Sequence, residues 1–199
     1  MELPFLEIEQ ELWSRDSKRL TLLLDPGRIK RGLKPREEMG PIFVAGRDYE
    51  LVVDRAWPAA NGRPLAAEFI KQFSVVEEDH LQPNPQQWKL TVPKPETNHP
   101  LIIQFGESLD HAMLSRMIAI HAHPDLATLD GKIEISEHEK AWSFTPAQPW
   151  TRGKYSLRVD NLIEDVAGNS IEKMFDVDVF EKTEPPTQGA VTELEFQIR

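Results

Sequence analysis

The chain contains no cysteine, so neither a disulfide nor a thiolate metal site can hold it together. Glycine is scarce beside proline, 10 against 16, a balance that disfavours long helices and suits many short connected segments. Basic residues are also short, with 23 Lys and Arg against 33 Asp and Glu, for a net charge of -10 and a pI near 5.1. That excess of negative charge argues against a general affinity for nucleic-acid phosphates or anionic lipid unless a local basic patch supplies it. The one basic cluster, Arg28, Lys30, Arg31, Lys34 and Arg36, lacks interleaved aromatics and reads as a solvated loop. No apolar run approaches the length that spans a bilayer, and Met1-Glu2-Leu3-Pro4 opens without the basic and apolar regions of an export signal. There is no Gly-x-Ser-x-Gly elbow and no phosphate-cradling glycine loop. Glu7, Glu9 and Glu11 have the spacing of the wet face of a strand, which explains them better than a glycosidase carboxylate pair. The expectation is a protein that is not an enzyme, with no cofactor, no nucleic-acid partner and no membrane insertion.

What is present is a series of short alternating runs. Leu6, Ile8, Gln10 and Leu12 alternate with the three glutamates from Phe5 to Trp13, and a polar break at 14–18 leads into a second apolar run from Arg19 to Asp25, predicting a hairpin. Residues 26–46, rich in Gly, Pro, Lys and Arg, read as a long loop. Strands follow at Arg47 to Trp57 and Phe69 to Glu77, joined through the Asn61-Gly62 turn signal. The polar stretch 78–87 with its two prolines marks a boundary. Beyond it the pattern predicts strands at 88–92, 101–105, 117–121, 132–136, 141–145, 155–159 and 175–180, one helical turn between Leu109 and Arg116, a linker at 181–189, and a last alternating run at Leu194, Phe196 and Ile198. The fold class is therefore all-β, in two units: residues 1–80, residues 81–182, and a linker with a C-terminal strand at 183–199.

The two units repeat one another. Tyr155, Leu157, Val159, Asp160, Gly168 and Ile171 fall on Tyr49, Leu51, Val53, Asp54, Gly62 and Leu65 at a constant shift of 106 positions. The preceding hairpins correspond, 132–146 over 6–26, and the strand at 175–181 falls on 73–79. The first unit lacks counterparts of three strands that precede the second unit's hairpin. Two expectations follow: the chain is shortened at its front, or the first unit is simply smaller, packed against the second or completed by the tail 191–198.

Residues 101–180, about two-fifths of the chain, carry Phe105-Gly106-Glu107-Ser108-Leu109-Asp110, Trp142-Ser143-Phe144-Thr145-Pro146, Gly153-Lys154-Tyr155 and Ile163-Glu164-Asp165-Val166-Ala167-Gly168-Asn169. This set resembles the bacterial SbsA-type Ig-like domain of S-layer and other envelope proteins, and residues 6–79 resemble a degenerate second copy in which Ala60-Asn61-Gly62 replaces the Ala-Gly-Asn turn. The resemblance implies an immunoglobulin-like β-sandwich, export to the periplasm or cell surface, a spacer or adhesive role, and other envelope proteins or polysaccharide as partners.

Three constellations carry possible chemistry. His121 and His123, two apart on a strand, would point to one face and could share a Zn²⁺ or Cu²⁺ with Asp125 or another histidine as third ligand, against the reading that Pro124 ends the strand and leaves both rings solvated. Asp160, Glu164, Asp165 and Asn169 supply oxygens near one turn and offer a calcium alternative, against which a tight turn needs fewer assumptions. Among the tryptophans, Trp142 alternates with Phe144 as a core residue would, while Trp57 and Trp150 lie near loops where an exposed indole could stack on a sugar. A ligand-binding accessory domain, for glycan or metal, therefore stands beside the spacer reading.

Overall fold

The computed structural model describes residues 4–6, 8–29, 34–59, 61–172 and 189–199. It divides into two compact units, Met1–Glu78 and Asp79–Arg199. Among the described residues antiparallel strands dominate both, arranged in two two-stranded and two four-stranded sheets. Among the described residues no helix is long and apolar enough to cross a membrane.

In the first unit, β1 (Leu12–Trp13) pairs with β2 (Leu20–Thr21), and Phe5 bridges Leu24. Among the described residues the predicted hairpin is present as short separate contacts, the Phe5–Leu24 bridge with the Leu6 amide donating to the Leu23 carbonyl at 2.7 Å, and the two-residue β1–β2 ladder. Where the sequence suggested a loop, two short helices form, α1 (Pro26–Ile29) and α2 (Lys34–Met39). Asp25 starts the first by accepting from the Gly27 amide through Oδ1 at 2.8 Å. Proline at the second position of α2 costs nothing, since its missing N–H would be unpaired there anyway. Gly40, at φ 77°, ends that helix by donating to the Arg36 carbonyl at 2.8 Å. β3 (Asp48–Val53) and β4 (Phe69–Ser74) then form a six-residue hairpin. Its inner face carries Tyr49 and Phe73, stacked at 5.8 Å, with Phe43 set edge-on to both.

The second unit holds the buried core. Its first sheet runs β5 (Lys89–Thr91), β6 (Leu101–Gln104), β10 (Ala141–Pro146), β9 (Gly131–Ser136). The second runs β12 (Val191–Ile198), β11 (Gly153–Asp160), β7 (Ile118–Ala122), β8 (Ala127–Thr128). Alternation sends Leu101 and Ile103 from β6, Trp142 and Phe144 from β10, Ile118 and Ile120 from β7, and Tyr155, Leu157 and Val159 from β11 into one shared core. Each such side chain contributes roughly 2–3 kcal/mol by leaving water. The polar ends of the buried indoles are satisfied: Trp142 Nε1 donates to the Leu114 carbonyl at 3.0 Å and Trp150 Nε1 to the His99 carbonyl at 2.8 Å. The helical turn expected after Leu109 is α3 (His111–Leu114), capped by Asp110, which accepts from the Met113 amide at 2.8 Å.

The tail does not complete the first unit. β12 pairs with β11 along its whole length, from Gly153 opposite Ile198 to Asp160 opposite Val191. The strand expected at 175–180 lies outside the described residues. Tyr155 faces Phe196 across this ladder as Tyr49 faces Phe73 in the first unit, and Trp150 stands edge-on to both rings as Phe43 does to the earlier pair. In both units the tyrosine hydroxyl is tied back to the chain just upstream: Tyr155 donates to the Thr151 carbonyl at 2.9 Å, and Tyr49 accepts from the Val44 amide at 3.0 Å.

Candidate functional site

Asp165 is the pivot of the turn that leaves β11. Its side chain is 4% exposed, and it is engaged on both oxygens: Oδ1 accepts from the Ala167 and Asn169 amides at 2.7 and 2.9 Å, and Oδ2 from Asn169 Nδ2 at 3.0 Å. A buried carboxylate is tolerated only with such donors around it. Gly168, at φ 90°, supplies the left-handed residue that lets the backbone fold back on Asp165. Asn169, fully buried, passes its amide group on to the Asp79 carbonyl at 3.0 Å. The backbone of the turn is locked to the segment before α3, with the Asp110 amide donating to the Glu164 carbonyl at 2.8 Å.

This docking brings Asp165 beside Glu107 and Asp79, with one carboxylate oxygen of each within 4.8 Å of the others. Burial pushes the Glu107 carboxyl above its ordinary range, and the negative charges of Asp165 and then Asp79 push it further. Chemically the group offers hard oxygen donors, although Asp165 already spends its oxygens on N–H groups. Of the residues expected around a calcium ion, Asp165 and Asn169 are in direct contact, while Asp160 serves a separate turn by accepting from the Leu162 amide at 2.9 Å. Glu164 is paired through its backbone with Ser170. Among the described residues the partners completing the acidic group are thus Glu107 and Asp79 rather than Asp160 and Glu164. Glu107 sat in a quoted motif and Asp79 in a polar boundary segment, and nothing in their sequence spacing from Asp165 signals the approach; it depends on the Leu109–Asp165 bridge.

His121 lies on β7 and is buried, with Nδ1 2.7 Å from the Leu126 carbonyl. His123 follows the strand, continuing its ladder by a hydrogen bond from its amide to the Lys154 carbonyl at 3.1 Å. Asp125 is exposed in the loop between β7 and β8. Trp150 is core, not a loop indole, at 2% exposure, whereas Trp57 is 39% exposed. No protein-family model, no curated protein and no solved structure matches this chain.

Proposed function

We propose that the chain is a non-catalytic, Ig-like structural or adhesive module of an exported or cell-envelope protein, built as tandem copies of which the first is degenerate. The observation that carries this reading is the use made of the motif residues. Trp142, Phe144, Tyr155, Leu109 and Ile163 are spent on one core between two four-stranded antiparallel sheets, and Asp165, Gly168 and Asn169 on a turn that pins the strand end. Residues so committed make a rigid spacer and leave specificity to loops. The twin aromatic trios, Phe43-Tyr49-Phe73 and Trp150-Tyr155-Phe196, support the tandem reading, because edge-on and stacked contacts recur in the same order in both units, with Phe196 of the tail strand, rather than a residue of 175–181, in the place opposite the tyrosine. Envelope proteins or polysaccharide are the partners this role implies.

Fractionation of the cells that make the protein tests the reading: recovery with the envelope or the secreted material is expected, and recovery in the cytosol alone would overturn it. Trp57 favours a second reading, a glycan-binding accessory domain, since an exposed indole on a turn offers the apolar face a sugar ring stacks on.

A further inference from the structure

On the outer face of the second sheet, four polar residues stand in one row across four strands: Glu195 on β12, Ser156 on β11, His121 on β7 and Thr128 on β8. They point away from the core because Tyr155 and Leu157, flanking Ser156, and Ile120, beside His121, point into it. Ser156 is 0% exposed, yet its Oγ has no hydrogen-bond partner, and Nε2 of His123 is likewise buried and unpartnered. Two such orphans, one on β11 and one just past the end of β7 beside it, call for something that satisfies them, a water or an ion.

His121 is set up to receive an ion. A carbonyl oxygen can only accept, so Nδ1 is the donor in the 2.7 Å contact to Leu126, and in the neutral ring Nε2 is then the nitrogen that carries the lone pair. Histidines that ligate metals are fixed in this way, by a carbonyl or carboxylate on the other ring nitrogen. His123 follows two residues on, where strand alternation returns the chain to the same face, and its amide still holds the ladder to β11. Two imidazoles at this spacing suit a borderline divalent transition ion rather than the hard cations that carboxylates take.

We propose that His121 and His123 hold a Zn²⁺-class ion on the outer face of β7, with Ser156 Oγ orienting a water in the ion's remaining coordination. Asp125, exposed in the following loop, is not required. The site stands apart from the spacer role and adds to it a metal-dependent contact surface.

Calorimetric titration of Zn²⁺ into the full chain, with imidazole ¹⁵N spectra recorded alongside, tests the proposal. One ion per chain is expected at micromolar metal, with the ring signals of His121 and His123 shifted and those of His80, His99, His111 and His138 unmoved. His123→Asn, which replaces a half-buried ring, should weaken binding about a hundredfold or more, as two-point binding becomes one-point. Ser156→Ala should weaken it about tenfold, as loss of an outer partner does. Glu107→Gln should leave it unchanged, since the carboxylate group is a separate place. No heat at millimolar metal, or full affinity in His123→Asn, would overturn the assignment, and His123→Asn serves even if His121→Asn fails to fold.

Discussion

Tyr155 stacks on Phe196 across the β11–β12 ladder, with ring centroids 5.5 Å apart and planes inclined by 16°. Tyr49 and Phe73 repeat the arrangement at 5.8 Å and 18°. The two pairs differ in burial: Tyr155 and Phe196 belong to the closed core, whereas Tyr49 and Phe73 are half-buried. Phe196→Ala should therefore cost about 3–5 kcal/mol and Phe73→Ala about 1 kcal/mol. Urea unfolding followed by tryptophan emission measures both, and equal losses would contradict the burial difference.

Asp165→Ala removes the acceptor for three N–H donors and should cost about 3 kcal/mol. Asp165→Asn keeps an oxygen at the Oδ1 position and should cost about half as much. Chemical denaturation of the two variants distinguishes them. A loss below about 0.5 kcal/mol in the alanine variant would mean the turn holds without its carboxylate.

Glu107 binds its proton more tightly in the folded chain than in the unfolded one, since burial and two neighbouring carboxylates raise its pKa. The native state therefore holds more protons between the ordinary carboxylate pKa and the raised one. Stability from this group is greatest below that interval and declines as the pH rises through it. Glu107→Gln abolishes the titration. The variant should gain thermal midpoint relative to wild type as the pH is raised from about 4 to 7, and a parallel pair of profiles would contradict the assignment.

Gly131 opens β9 opposite Pro146, and a Cβ there would meet the Thr145 carbonyl oxygen and the Phe144 ring, each at 2.5 Å. The ring is core and the oxygen is backbone, so neither yields cheaply. Gly131→Ala should cost about 2–3 kcal/mol, measured by denaturation, and a neutral effect would place the β9–β10 strand ends farther apart.

Trp88, Trp142 and Trp150 are buried, and Trp57 is the exposed indole. Acrylamide should quench a minor part of the emission, and Trp57→Phe should remove most of that part. If the spacer reading holds, polysaccharide leaves the quenching unchanged. Protection of Trp57 by a polysaccharide would favour the glycan-binding reading instead.

Much of the second unit was legible because its strands alternate cleanly and its turns carry Gly, Asn and Asp. Trp142 and Phe144 had the period of core residues, and they are core. The first unit was less legible. Its glutamate-alternating segment has a strand's period, yet pairing there is limited to short contacts, because a two-stranded ladder has little to pack against. The helices at 26–29 and 34–39 escaped because each is set by caps within a few residues rather than by an apolar stripe. The Asp79–Glu107–Asp165 group escaped for another reason: its members are distant in sequence and meet only once a β-bridge closes. His121 was visible as a residue type at strand spacing, but the carbonyl that orients it and the unpartnered serine beside it on β11 depend on register.

Asp79–Arg199 is one compact β unit whose last strand, Val191–Ile198, is integral to it. Amide hydrogen exchange on the full chain tests this directly. The paired amides of 191–198 and 153–160 should exchange together with those of the core strands 101–104 and 141–146, at the slowest rates in the protein. Exchange of 191–198 at the rate of an unstructured peptide, while 141–146 stays protected, would contradict it.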